Sequence, residues 1–194
     1  MSNYESLQHI FLIAMPQLND AFFFQSVVYL WEYNEQGASG IIINKPLDFR
    51  LGEVLKQLEI EIQDPRAHDY PVLQGGPVAA DQGFIIRRHN YQPDDPPKTL
   101  VEITVSSSKQ DLLDMAQGEG LGDALVALGC AGWGAGQLDR ELANNDWLIA
   151  PFRQETLFGM LSADEPRTTA MKWHKAAASV GVDLSRLSSD VGHA

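Results

Sequence analysis

The chain has 194 residues, of which 44% are hydrophobic and 21% are charged, and this is the composition of a globular protein with a sizeable core. Acidic residues outnumber basic ones by 26 to 14, so the formal charge of -12 argues against binding to nucleic-acid phosphates or anionic membranes. Cys130 is the single cysteine, which excludes an intrachain disulfide.

The sequence carries no sign of a membrane or secretory segment. No apolar run reaches the roughly 20 residues that span a bilayer, and residues 1–8 lack the features of a signal peptide. We therefore expect a cytoplasmic protein with no membrane partner. The length predicts one domain over residues 1–194, with room for a small second lobe. Basic residues cluster only over 87–89 and 172–175, and both clusters are short enough to be solvated surface.

The N-terminal half alternates short apolar, β-branched runs with turns, which is typical of strands. Strands are predicted over residues 11–14, 26–33, 39–44, 72–74, 83–88 and 101–105. The second and third flank a short glycine-containing turn and predict a β-hairpin. Leucine and valine at helical spacing over 51–58 predict a two-turn helix, while prolines predict loops over 64–71 and 92–98.

The C-terminal half adds helices to this pattern. Ser108 lies three residues before Asp111, as at the start of a capped helix that ends near Gly118. Beyond it we predict a strand over 124–128, a helix over 137–144, a strand over 147–150 and a last helix over 166–180. Hairpins and a strand–helix–strand crossover together predict an α/β sandwich, with a mixed, largely antiparallel sheet flanked by helices.

Residues 128–138 form the most informative stretch, because four glycines separate a predicted strand from a predicted helix. Glycine reaches positive φ cheaply and lets another chain or a ligand approach closely, so we predict a functional glycine-rich loop. The spacing of the glycines fits neither a Walker loop nor a dinucleotide fingerprint. Trp133, within this stretch, is either a core anchor or the floor of a shallow groove, and we expect it to be partly exposed.

No residue pattern in the chain predicts a reaction. Cys130 has no cysteine-protease signature around it, and the five histidines are not spaced as metal ligands. We therefore expect no catalytic residue, no metal and no cofactor. Glu141 is assigned to a solvated helix face. Asn44 and Lys45 precede Pro46 in turn geometry, and they also suit the lining of a cleft beside the glycine-rich loop.

Six motifs resemble the AlgH/YqgE family of bacterial proteins along essentially the whole chain. They are FLIAMP (11–16), SVVYL (26–30), GIIINKP (40–46), GGPV (75–78), ALGCAGWGAGQL (127–138) and NDWL (145–148). Cys130 departs from the family pattern, which usually has an aromatic residue there. The resemblance implies an α/β sandwich with a shallow apolar cleft in a protein described as a transcriptional regulator of unsettled mechanism. It supplies no catalytic residue.

By motif position, the candidate groove is formed by nine residues: Asn44, Lys45, Pro46, Gly76, Pro77, Trp133, Gly134, Gly136 and Gln137. The leading hypothesis is a non-enzymatic regulatory or interaction protein, monomeric or weakly self-associating, that binds a protein or peptide segment in this groove. The competing hypothesis is an anion- or nucleotide-binding protein, or an enzyme, that uses the backbone amides of the glycine-rich loop. Direct DNA binding is a third hypothesis, and it conflicts with the net charge.

Overall fold

The computed structural model describes residues 8–88, 103–160 and 168–187. Within these residues the strands are β1 (Ile10–Ala14), β2 (Val27–Asn34), β3 (Gly37–Ile42), β4 (Pro46–Arg50), β5 (Pro71–Gln74), β6 (Val78–Arg88), β7 (Ile103–Ser106), β8 (Ala124–Gly134) and β9 (Trp147–Pro151). The α-helices are α1 (Leu51–Gln57), α2 (Lys109–Ala116), α3 (Gln137–Ala143), α4 (Gln154–Gly159), α5 (Thr169–Ala178) and α6 (Leu184–Leu187).

Most predicted elements are present with shifted ends. β2 and β3 form the predicted hairpin, and the Ser108 hydroxyl accepts a hydrogen bond from the Gln110 amide at 3.1 Å to cap α2. The sequence-based prediction lacks β4, α4 and α6, which are short elements. The predicted loop over 92–98 and the start of the predicted last helix, residues 166–167, lie outside the described residues.

The long strand β8 organises the sheet. Its first half pairs with β5 in parallel, Val72 opposite Val126, and with β6 in antiparallel fashion. Its last residues pair antiparallel with β3, Ala38 opposite Trp133. The strand order β4-β5-β8-β3-β2-β1-β9 follows, and outside this order β6 pairs with both β8 and β7. The sheet is therefore mixed and largely antiparallel, as predicted, and β5–β8 is its one parallel pair among the described residues.

A bulge at Gly129 changes which face of the sheet the β8 side chains reach. Ala127 and Cys130 belong to the same core cluster, although strict alternation would place residues three apart on opposite faces. Gly129 lies between them with φ +70°, a conformation that is strained for any other residue. Beyond the bulge, Trp133 faces the opposite side of the sheet from Cys130.

Helices cover both faces of the sheet. On one face, α5 packs on a core that includes Phe11 and Tyr29, and the indole nitrogen of Trp173 donates to the Ala14 carbonyl at 2.7 Å. On the other face, α3 covers the end of the sheet that contains Trp133, while α1 and α2 cover the end formed by β5, β6 and the first half of β8. The first of these two ends contains four of the nine predicted site residues, from Trp133 to Gln137.

Candidate functional site

The glycine-rich stretch is part of a strand rather than a loop. β8 continues through Gly134, which pairs with Gly37 of β3. The chain turns only at Ala135 and Gly136, and Gly136, at φ +65°, precedes α3. The predicted loop is therefore wrong. Glycines lower the strand propensity of this segment, but β3 pairs with residues 131–134 and holds them extended, and β6 pairs at Cys130.

Asn44 lies buried just after the end of β3 and joins neighbouring parts of the chain by hydrogen bonds. Its side chain is fully buried, and its Oδ1 accepts a hydrogen bond from the Val27 amide at 2.8 Å. Its Nδ2 donates to the carbonyls of Gln25 at 2.9 Å and Thr169 at 3.3 Å. A buried amide with only backbone partners stabilises the elements that it joins. Asn44 therefore supports the neighbouring surface from below and does not present its amide to it.

Gly76 packs directly against β8. It has φ +152°, and a Cβ placed there would overlap the Cys130 carbonyl and lie 2.5 Å from the Ala131 nitrogen. Only glycine permits two backbones to approach so closely. Pro77, the next residue, is exposed. Close contact within the sheet, rather than contact with a ligand, therefore accounts for the glycine at position 76.

Trp133 is a core residue with only 5% of its surface exposed. Its ring stacks on Phe23, with 5.8 Å between centroids, and meets the edge of Trp147 at 5.9 Å. Phe23 also meets Trp147, at 5.5 Å, so the three rings form one cluster. The prediction of a partly exposed Trp133 is wrong, because Phe23 covers the ring that its glycine neighbours leave uncovered.

Glu141 of α3 holds this aromatic cluster by hydrogen bonds. Its Oε2 accepts from the indole nitrogens of Trp133 and Trp147, both at 2.8 Å, and its Oε1 accepts from Gln137 Nε2 at 2.9 Å. The Gln137 Oε1 in turn accepts from the Gly134 amide at 3.1 Å. Assigning Glu141 to a solvated face is therefore wrong. The carboxylate supplies the acceptors that two buried indole N–H groups require.

Residues 20–25 form a loop that we call the phenylalanine loop, and it is fixed at several points. Asp20 Oδ1 accepts from the amides of Phe22 at 2.8 Å and Phe23 at 3.0 Å, and the Phe24 amide donates to the Asp20 carbonyl at 2.8 Å. The Lys45 ammonium donates to the Phe22 carbonyl at 2.6 Å. Burial lowers the pKa of Lys45, and the nearby Asp20 opposes that shift. The loop is thus pre-organised.

The three consecutive phenylalanines of this loop have different environments. Phe23 points into the cluster with Trp133 and Trp147, whereas Phe22 is 39% exposed and Phe24 is 48% exposed. Large aromatic rings on the surface of a fixed loop are unusual unless something else covers them. The run of three phenylalanines after Asp20 is the one signal of this loop in the sequence, and the predicted site residues do not include it.

The nine predicted groove residues fall into two groups. Five lie at the β3–β4 and β5–β6 junctions: Asn44, Lys45, Pro46, Gly76 and Pro77. A hydrogen bond of 2.8 Å from the Gln74 amide to the Lys45 carbonyl joins these two junctions. Four lie at the end of β8 and the start of α3: Trp133, Gly134, Gly136 and Gln137. The phenylalanine loop connects the groups, since Lys45 holds Phe22 and Phe23 stacks on Trp133.

A concave surface lies at the other end of the same face. This α1 cleft has a volume of about 360 Å³ and lies between α1, α2 and the strands β6 and β8. It is lined by apolar side chains, two carboxylates, an amide and a glycine: Phe49, Val54, Leu58, Leu112, Val126, Leu128, Glu53, Asp81, Gln57 and Gly83. Leu58 remains 43% exposed at its rim. This cleft is absent from the sequence-based prediction, because elements that are distant in the chain form it.

The described residues contain no group of three or more His, Cys, Asp or Glu side chains positioned to hold a metal. Burial raises the pKa of the Cys130 thiol, which disfavours the nucleophilic thiolate. Among the described residues, no helix is long and apolar enough to span a membrane.

The two arginines of the first basic cluster and Lys172 of the second make internal contacts, whereas His174 and Lys175 are exposed, as predicted. Arg87 lies 3.3 Å from a carboxylate oxygen of Asp111, and Arg88 forms an ion pair with Asp123. The buried Lys172 donates to the Met160 carbonyl. His89 lies outside the described residues.

Comparisons with known proteins identify relatives over nearly the full length. A family model described as AlgH-like matches residues 11–185. UPF0301 proteins of Coxiella burnetii and Thioalkalivibrio sulfidiphilus are 46% and 48% identical, and the alignments cover 97% and 95% of both chains, respectively. The solution structure of AlgH from Pseudomonas aeruginosa matches with a TM-score of 0.72 and 40% identity, over 100% of this chain and 98% of that one. A crystal structure from Corynebacterium diphtheriae, 18% identical, shares the fold, with a TM-score of 0.68 over 97% of this chain and 95% of that one.

Proposed function

Because the chain belongs to the AlgH-like family, as its motifs indicated, we propose that it is a non-enzymatic regulatory protein that acts by binding another protein. The phenylalanine loop is the proposed contact. One observation carries this proposal: a loop held by Asp20 and Lys45 exposes Phe22 and Phe24. Aromatic side chains dominate the energetics of protein interfaces, and a loop that is already ordered loses little conformational entropy on binding.

The proposed contact extends from the loop onto the surface members of the predicted groove. Lys45 lies beside the loop, and Pro46 is exposed next to it. The buried Asn44 and Trp133 fix this surface from below through Gln25 and Phe23. In this proposal, they position the partner-binding residues without touching the partner.

The competing anion-binding hypothesis has less support. It requires free backbone amides at the glycine-rich stretch, whereas residues 131–134 of this stretch pair with β3, and Cys130 pairs with Val78 of β6. The Gly134 amide donates to Gln137. Helix α3 begins after Gly136 and has only seven residues. A phosphate group bound to the Gly134 amide would therefore have to displace its hydrogen bond to Gln137.

We expect the partner to be a cytoplasmic protein rather than nucleic acid. The chain has a charge of -12, and Arg87 and Arg88 are both paired with carboxylates. Fluorescence polarisation with duplex DNA at roughly 100 mM salt should give no complex tighter than micromolar, the usual non-specific range. A nanomolar complex that depends on sequence would contradict this expectation. If the protein does not bind DNA, any effect that it has on transcription acts through a protein partner.

The three phenylalanines provide a matched test of the binding surface. In affinity capture with quantitative mass spectrometry, the double variant Phe22→Ser/Phe24→Ser should lose a specific partner by about tenfold or more, as expected for two interface anchors. Its melting temperature should stay close to that of the wild type, because both rings are exposed. Leu187→Ser replaces a comparably exposed apolar residue, 46% exposed, on α6 and should retain the partner.

Phe23→Ala is the complementary variant. It removes the ring that joins Trp133 and Trp147, so it should lower the melting temperature markedly. If the Phe22/Phe24 double variant captures every specific partner as well as the wild type does, the proposed surface is wrong.

A further inference from the structure

Gly83 in the α1 cleft occupies a position that does not require glycine for structural reasons. It lies inside β6, opposite Leu128, and its φ is outside the left-handed region. A Cβ built there would meet no atom within 4 Å. Strands favour residues with side chains, and a strand glycine often marks a place where something else approaches the backbone. Since neither conformation nor packing accounts for Gly83, the open space itself is the feature to be explained.

The walls of this space have the properties of a small-ligand site. Val54 and Leu58 of α1 face Leu112 of α2 across a floor that includes Val126 and Leu128. The volume of about 360 Å³ lies near the lower end of the range for small-molecule pockets. It suits an apolar body of about ten non-hydrogen atoms.

The polar groups of the cleft select for positive charge. Glu53 and Asp81 contribute carboxylates, and Gln57 contributes an amide, whereas no lysine, arginine or histidine lines the cleft among the described residues. Glu53 Oε1 accepts from the Arg50 amide at 3.2 Å, which fixes that carboxylate at the start of α1. A ligand cation would gain charge-assisted hydrogen bonds here, while an anion would meet two like charges.

We infer that the α1 cleft binds a small organic cation, with an apolar body on the floor beside Gly83 and an amine or guanidinium group near Glu53 and Asp81. The site is separate from the phenylalanine loop, with which it shares no residue. It gives the protein a ligand-binding function beyond the proposed protein contact.

The test uses three probes with the same phenylbutyl body. The full-length protein is titrated with 4-phenylbutylamine, 4-phenylbutanol and 4-phenylbutanoate while amide and methyl NMR signals are recorded. The amine should shift signals of Val54, Leu58 and Leu128 saturably, with an affinity at least about threefold tighter than the alcohol and tighter still than the carboxylate. Absence of saturable shifts at the cleft up to about 10 mM amine, or equal binding of the carboxylate, would overturn the inference.

Two variants locate the binding. Gly83→Val fills the open space and should weaken amine binding by about tenfold or more, while the melting temperature stays equal to or above that of the wild type. Asp81→Asn should weaken binding of the amine about threefold and leave binding of the alcohol unchanged. Wild-type amine affinity in Gly83→Val would contradict the inference.

Two controls separate this inference from the proposed function. Glu35→Gln removes one negative charge at the exposed β2–β3 turn and should bind the amine as the wild type does. The Phe22→Ser/Phe24→Ser variant should also bind the amine normally. Failure of the cation site and failure of the protein contact are therefore distinguishable, and loss of amine binding in either control would overturn the assignment to the cleft.

Discussion

Replacing Trp133 with alanine is expected to lower the free energy of unfolding by about 3 to 5 kcal/mol, the usual effect of truncating a buried tryptophan. The ring is 5% exposed and packs against both Phe23 and Trp147. Its removal also takes away one of the two indole donors to Glu141 Oε2. Urea denaturation followed by circular dichroism measures the change directly.

The Trp133→Phe variant separates packing from hydrogen bonding at this position. Phenylalanine keeps an aromatic ring near Phe23 but has no N–H group for Glu141. It should therefore cost less than alanine, on the order of 1 to 2 kcal/mol. If the free energy of unfolding of Trp133→Ala lies within about 1 kcal/mol of the wild-type value, the ring is not a core anchor.

Replacing Gly76 with alanine is expected to destabilise the protein by on the order of 3 kcal/mol, through overpacking and backbone strain. The new methyl group would overlap the Cys130 carbonyl, and backbone atoms cannot move aside as a flexible side chain can. The φ of +152° is also unfavourable for alanine. Thermal and urea unfolding of the purified variant measure the effect.

Gly134→Ala is the matched control for Gly76→Ala. A Cβ at Gly134 has Gln137 Oε1 as its nearest neighbour, at 3.9 Å, and its φ is outside the left-handed region. We therefore expect a change within about 0.5 kcal/mol. Gly134 therefore shows neither positive φ nor a close approach, whereas Gly136, at φ +65°, does adopt positive φ. Equal stability of Gly76→Ala and Gly134→Ala would contradict the prediction, because it would show that the backbone around Gly76 moves to accommodate the methyl group.

Local patterns in the sequence are sufficient for much of the fold. The β-branched runs around residues 27 to 42 predict the hairpin, and Ser108 predicts the start of α2, because neighbours in the chain determine both features. The glycines of β8 mislead for the same reason. Their local preference is for a turn, whereas the pairing that holds Gly132 and Gly134 extended comes from β3, which is distant in sequence.

The candidate site is less predictable because its members meet only in the folded chain. The sequence identifies Trp133 and Lys45 as notable residues. It does not show that Phe23 stacks on Trp133, or that Lys45 donates a hydrogen bond to the Phe22 carbonyl. Similarly, Gly83 is an unremarkable strand residue until α1 and α2 leave the space beside it open.

Site-specific photo-crosslinking tests the proposed binding surface most directly. p-Benzoylphenylalanine placed at position 22 or 24 keeps an exposed aromatic ring on the phenylalanine loop, and at position 36 it lies in the exposed β2–β3 turn as a control. In cells that contain the native partner, irradiation should yield the same discrete crosslinked protein from positions 22 and 24 and none from position 36. Crosslinks from position 36, with none from positions 22 and 24, would contradict the assignment of this loop as the partner contact.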